Sequence, residues 1–326
     1  MDFDYRSVSL SQIDSNDATY CITFRHPSGD LIDSIREIGL LRPPLVKADG
    51  DRYVIISGFA RIAACRQLGW SSITAGVMDA STTAEQCAIV AVADKTAHRV
   101  LNLVEQAHAV NLLSKAFSAK RAFNAAARRA GLDINERLVA KLNRVAKFPP
   151  LMQSGLIEGI IALPVALAID HMPDKEAATA VIQLLQESNY SLNQQREILD
   201  SVIAISRRDG ISIPRLLGDG AIGDIRRNTE LDHRHKARMI RLNLKAMRYP
   251  TISSVEKQFQ HLVQKLKLPD KAQLVAPPNF ESRSFALRFE FDNQNDLEKM
   301  QKVLDRLVLA PEIEQLWGLF RLDEAP

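Results

Sequence analysis

The sequence predicts an α+β multidomain protein with an α/β N-terminal domain, an all-helical centre holding a helix-turn-helix, and a small C-terminal α-β-β-α module. Three patterns carry that expectation. Between Leu31 and Trp70 helical spacing alternates with short apolar strand-like runs. From about Leu103 the apolar positions keep only helical spacing. Near the C-terminus Phe285, Leu287, Phe289 and Phe291 alternate with Ala286, Arg288 and Glu290, the period of a strand with one buried face. At 326 residues the chain accommodates two or three domains. The expected boundaries are 1–102, 103–205, a linker with a basic helix over 206–250, and 251–326.

Val8 to Ile13 reads as a first strand. Ile32, Ile35 and Ile38 then form one helical stripe, stopped by Gly39. Leu45 and Val46, the turn Ala48-Asp49-Gly50-Asp51, and Tyr53 to Ile56 read as a hairpin. Ser57-Gly58 opens a helix over Arg61–Leu68, and a further helix is expected over Thr83–Asp94. In the centre, Lys120 to Ala130 and Arg137 to Ala146 read as two helices around Gly131, the outline of a helix-turn-helix. Ala127 suits the close contact of its two helices, although the turn is about two residues longer than usual for the motif. A generic helix pair is the plainer alternative. Arg137, Lys141 and Arg144 stand four and three apart, hence on one face, as a helix reading a major groove requires. Asp174 and Ser191-Leu192-Asn193-Gln194 read as helix caps, and His171 as a helix-end residue. Residues 206–228, with five Gly or Pro, read as a linker. Basic and amphipathic helices follow, then strands over Lys271–Val275 and Phe285–Phe291, then a helix from Asp296 to Leu309.

A composition of 46% hydrophobic and 25% charged residues is that of a globular protein, and no apolar run reaches the roughly 20 residues of a membrane span. Three widely separated cysteines suggest neither a disulfide framework nor a zinc site. With an acidic N-terminus, the expectation is a cytoplasmic protein without a membrane partner. The net charge of +3 conceals segregation. Residues 1–100 carry ten Lys/Arg against twelve Asp/Glu, residues 115–147 nine against two, and residues 226–248 eight against two. Clustered positive charge is the footprint of a polyanion binder, although any one cluster is equally well a solvated helix face.

A strand, a glycine and a helix N-terminus bearing an arginine make a place where an anion can meet backbone N–H groups. At these residues the chain resembles the N-terminal domain of the ParB family of chromosome and plasmid partition proteins, within the ParB/sulfiredoxin superfamily. Gly39-Leu40-Leu41-Arg42-Pro43, Gly58-Phe59-Ala60-Arg61-Ile62-Ala63-Ala64 and Leu68-Gly69 occupy the slots of its first motifs. Asp94 through Ala107, matching at Leu101, Asn102, Glu105 and Ala107, is similar to the second. The resemblance implies a helix-turn-helix after the first domain and a dimerising C-terminal module. Its implied partners are DNA, a second copy of the chain and a partition ATPase.

In that family the two boxes bind CTP with magnesium. Carried over, Gly58 and Arg61 are retained, while Phe59, Ala60 and Ala63 replace charged positions. Asp94 stands for Glu, Lys95 for Asn, Ala97 for Gln, His98 for Arg and Arg99 for Glu. The nucleotide-site residues so implied are Arg42, Gly58, Phe59, Ala60, Arg61, Asp94 and Lys95, with Arg99 as a further cation. On the residues alone, Gly58 and Arg61 equally suit a purely structural role. The sulfiredoxin reaction is not expected, since Phe59 and Ala60 stand where that family has Cys and His, and Cys65 reads as a packed small hydrophobe. No catalytic residues and no metal site emerge, and any turnover would be of residual CTPase type. The expected DNA contacts are Lys120, Arg121, Arg137, Lys141, Arg144 and Lys147. The expected function is that of a ParB-like DNA-binding protein in partition or transcriptional regulation, gated by nucleotide. A nucleoside-triphosphate enzyme of the superfamily (kinase- or nuclease-like) and a ligand-free scaffold are the alternatives.

Overall fold

The computed structural model describes residues 3–23 and 27–319, so Met1 and Asp2 of the acidic N-terminus and the last seven positions of the C-terminal module lie outside it. The chain divides into two units, Met1–Ala178 and Thr179–Pro326.

The first unit opens with β1 (Asp4–Ser9), a 3-10 turn (Leu10–Gln12) and β2 (Ile13–Asp14), where the sequence suggests a single strand. Helix α1 (Gly29–Ile38) is capped by the Ser28 hydroxyl, which accepts from the Leu31 N–H. Its Ile35 is buried, Ile32 is half-buried, and Ile38 is exposed, so the expected stripe is two-thirds realised. Strands β3 (Leu45–Asp49) and β4 (Arg52–Ser57) pair antiparallel across Gly50-Asp51, the expected hairpin. Helix α2 (Phe59–Gln67) follows, and then β5 (Ser72–Met78), a strand that the sequence pattern does not announce. The five strands form one mixed sheet in the order β1-β5-β3-β4-β2, with β5 antiparallel to β1 and parallel to β3. Val46, Ile55, Ile73, Ala75 and Val77 from the sheet pack with Ile35, Phe59, Ile62 and Cys65 from the helices. Cys65 is wholly buried there, as a small hydrophobe would be.

Helix α3 (Ala84–Thr96) starts in a capping box between Thr83 and Gln86, and α4 (Leu103–Ala116) in another between Asn102 and Glu105. Helices α5 (Lys120–Arg129) and α6 (Glu136–Val145) are the expected pair around Gly131. Phe123, Ala126 and Ala127 of α5 and Leu142 and Val145 of α6 are buried, which turns the charged faces outward. α4 packs against α3, α5 and α6. α7 (Pro150–Ile157) and α8 (Leu163–Asp170) complete the unit, with His171 at the C-terminal cap of α8.

Helix α9 (Lys175–Gln186) begins in the first unit and ends in the second. There, α10 (Leu192–Asp209) carries the expected Ser191–Gln194 capping box. The segment read as a linker is instead folded into α11 (Ile213–Gly218) and α12 (Gly220–Arg227). One of its glycines acts in packing: a Cβ at Gly223 would lie against the Gly218 carbonyl, so the two short helices meet only because residue 223 has none. α13 (His233–Arg248), capped by Asp232, is the expected basic helix, and α14 (Pro250–Leu266) the amphipathic one. Strands β6 (Ala272–Val275) and β7 (Ala286–Phe289) pair antiparallel in a two-stranded sheet. α15 (Gln294–Val308) follows, and α16 (Pro311–Gly318) is a helix beyond those expected from the sequence. Phe259 stacks on Phe285, with ring centroids 5.7 Å apart, beside buried Val255, Leu262 and Leu316.

Candidate functional site

A cavity of about 470 Å³ opens at the end of β4, where α2 begins and α3 ends. All seven residues expected at a nucleotide site line it: Arg42, Gly58, Phe59, Ala60, Arg61, Asp94 and Lys95. Gly58 is the reason that β4 can turn directly into α2. Its φ is +98°, and a Cβ there would stand 2.6 Å from the Pro44 Cβ. Both the backbone conformation and the space therefore require glycine. No side chain caps α2, so its first N–H groups face the cavity with the positive end of the helix dipole. Phe59 and Ala60 line the site, and the Phe59 ring belongs to the sheet core.

Arg61 is a positioning residue as well as a charge. Its guanidinium donates to the carbonyls of Arg42 (2.7 Å) and Pro43 (3.3 Å), which ties the loop before β3 to α2. It also lies 3.7 Å from Asp94 Oδ2. The same oxygen accepts a hydrogen bond from the Ser57 hydroxyl and stands 3.4 Å from Lys95 Nζ. Burial opposes the charge on Asp94, but the Ser57 hydrogen bond and the Lys95 and Arg61 cations outweigh it and hold the carboxyl below its ordinary range. Burial in turn pushes the Lys95 ammonium and the Arg61 guanidinium down; Asp94 opposes the fall in both, and a neighbouring cation adds to it, Arg61 beside Lys95 and Arg42 beside Arg61. These are cations held partly out of water, short of negative charge.

His98 and Glu105 also line this cavity, beyond the seven residues expected from the sequence, and Ser57 supports it through its bond to Asp94. Arg42 donates to His98 Nε2. Arg99 grips Glu105 with two hydrogen bonds, 2.6 and 2.5 Å long. Glu105 also accepts from the Asn102 N–H (3.1 Å), closing the capping box of α4. Burial raises the Glu105 pKa, yet the Arg99 and Asn102 hydrogen bonds prevail and lower it overall. Ser57 adjoins the Gly58 motif, and Glu105 and His98 fall within the second motif, so position in the chain points to all three. Residue type obscures the signal at His98, which stands in an arginine slot.

The donor set does not suit a divalent cation. Magnesium takes its protein ligands chiefly from one or two carboxylates. Both carboxylates of this cavity are already engaged by hydroxyl, ammonium, guanidinium or N–H donors. Among the described residues no group of three or more His, Cys, Asp or Glu side chains converges anywhere.

From this cavity α3 leads to the helix pair. Thr96, directly after Asp94 and Lys95, donates its hydroxyl to the Ala130 carbonyl (2.5 Å) at the turn between α5 and α6. On the pair itself, Arg121, Arg137, Lys141 and Lys147 are exposed. Lys120 is exposed but pairs with Glu136 (2.7 Å), joining the starts of α5 and α6. Arg144 is different. It is half-buried and directed into α8, bonded to Asp170 (2.6 Å), the Leu167 carbonyl and His171. That network removes Arg144 from the outward set expected from its spacing, because helix periodicity alone could not show that α8 lies beside it.

Residues 5–96 match the family model of the ParB N-terminal domain. A nucleoid occlusion protein of Oceanobacillus iheyensis is 27% identical over 170 residues, which covers 52% of this chain and 57% of the relative. A nucleoid occlusion protein of Shouchella clausii is 26% identical over 168 residues, again 52% of this chain and 57% of the relative. The chain thus spans little more than half the length of these curated relatives. The C-terminally truncated chromosome-partitioning protein ParB from Caulobacter crescentus, crystallised with CTP-γ-S, is 24% identical with a TM-score of 0.26, the match covering 56% of this chain and 98% of that one. No helix among the described residues is long and apolar enough to cross a membrane. With its Gly58 and Asp94 motifs framing one cavity, the segment 5–96 is similar to the ParB N-terminal domain in sequence, and both motifs lie inside the match.

Proposed function

We propose that this protein is a nucleoid-associated DNA-binding protein of the partition or regulatory kind, in which a nucleoside triphosphate, CTP by family likeness, adjusts the grip of α5–α6 on DNA. The observation that carries the reading is the Thr96 link. One short stretch of α3 supplies Asp94 and Lys95 to the cavity and a hydrogen bond to the turn of the helix pair. A phosphate drawn to Lys95 would bias the end of α3, and with it the turn that aims α6. α4 offers a second route, since its N-terminal cap at Asn102–Glu105 borders the cavity and its body packs on α6. Both lining carboxylates are engaged, so the cavity is read as a binding site and not as a reaction centre.

DNA contact falls to Arg121, Arg137, Lys141 and Lys147, with Lys120 available if Glu136 releases it. Cations on one face of an exposed helix pair can reach phosphates, and those at the start of α6 can reach base edges. Replacing Arg137 and Lys141 together by Ala should weaken DNA binding and lower the slope of log affinity against log salt by about two, roughly one for each phosphate no longer neutralised. Mobility shifts that remain unchanged in the double variant, at every salt concentration, would refute the assignment of α6. The reading includes a homodimer joined through the C-terminal module.

A further inference from the structure

We propose that the α2–α3 cavity holds the phosphates of its nucleotide without a divalent metal, the Lys95 ammonium and Arg61 guanidinium occupying the place and supplying the charge that magnesium would supply. The inference rests on the nucleotide reading above and concerns how the site neutralises its ligand. Three observations support it.

The first is the state of the carboxylates. Asp94 Oδ2 accepts from Ser57 and has Lys95 Nζ at 3.4 Å and Arg61 at 3.7 Å. A dication brought to that oxygen would enter a shell already filled by two cations and be repelled by both. Glu105 has both oxygens in the Arg99 fork and one also on the Asn102 N–H. Neither can turn to a metal without abandoning a buried charge pair, a costly exchange.

The second is the charge of the cavity. Arg42, Arg61, Lys95 and Arg99 line it against Asp94 and Glu105 alone, leaving a formal excess of two positive charges before any ligand enters. A metal-ligand shell has the opposite character, with excess negative charge facing the dication. An excess of ammonium, guanidinium and backbone N–H donors is instead what a polyphosphate needs.

The third is continuity of donors. The uncapped start of α2 faces the same space as Arg61 and Lys95. A phosphate there could accept from backbone N–H groups on one side and from two side-chain cations on the other. All required donors belong to the chain.

The test is calorimetric titration of the full chain with CTP, and with ATP, GTP and UTP in parallel, once in excess EDTA and once in excess magnesium. The proposal predicts binding in EDTA within about threefold of that in magnesium. It further predicts that Lys95→Asn weakens binding in EDTA by about tenfold or more, and that magnesium recovers part of the loss because Asp94 Oδ2 is released. Circular dichroism melts establish that the variant folds; the wild-type comparison stands without it. Binding by the wild type only in magnesium overturns the metal-free site and leaves the nucleotide reading intact. Absence of binding by all four nucleotides in both conditions overturns both.

Discussion

Glu105 keeps its charge while only 4% exposed because each of its oxygens is occupied. Arg99 supplies two donors and the Asn102 N–H a third. Its folded-state pKa therefore lies below the ordinary value, and the sign of the linkage follows. The ionised form contributes stability that is present in full above about pH 4.3, the unfolded value, and is lost as pH falls through the lower folded value. Glu105→Gln should cost about 1–3 kcal/mol at neutral pH. The deficit should shrink as pH falls from 6 towards 3, seen as converging melting temperatures. A deficit independent of pH would mean that the Arg99 pair contributes nothing to the cap. Gly58, Arg61, Asp94 and Lys95 are legible because motif position brings them together; the bond from the Ser57 hydroxyl to Asp94, 37 residues away, is not. Arg144 shows the converse. Its spacing places it on one face with Arg137 and Lys141, but its partners on α8 lie 23 to 27 residues away.

At the scale of elements, periodicity locates most helices and both hairpin strands, and it fails where packing overrides local character. β5 is central, pairs with both β1 and β3, and includes Ala75 and Gly76, so it lacks the bulk that announces a strand. The glycines of 206–228 suggest a linker; Gly223 instead brings α12 close to α11. In the C-terminal module the alternation of Phe285, Leu287 and Phe289 is legible because one face of β7 turns towards Phe259 and α16. α15 keeps a second apolar stripe outside: Leu297, Leu304 and Val308 are exposed, seven and four residues apart, with Trp317 of α16 exposed as well. A two-stranded sheet is marginal by itself and gains from pairing. If that stripe joins two copies, Leu304→Asp should shift the molar mass measured by light scattering from dimer towards monomer while the melt stays cooperative. A wild-type chain that elutes as a monomer at all concentrations would refute the dimer.

At the scale of the molecule, the first unit carries both halves of the proposed mechanism in one continuous structure. The sheet sets Gly58 and α2 against α3; α3 reaches the turn of α5–α6 through Thr96; α6 displays Arg137 and Lys141. The N-terminal resemblance to the ParB family covers the residues that frame the cavity, and the family match over residues 5–96 agrees with it. The route from cavity to helix pair is invisible in sequence, because it consists of one hydroxyl meeting a carbonyl 34 residues away. In the proposed mechanism nucleotide and DNA sense each other through this contact. The most direct measurement is fluorescence anisotropy of labelled DNA titrated with the full chain, with and without saturating CTP, for wild type and for Thr96→Val. CTP should change wild-type DNA affinity by about fivefold or more, the usual scale of allosteric coupling, and Thr96→Val should bind both ligands but lose most of that change. Superimposable wild-type isotherms with and without bound CTP would contradict it.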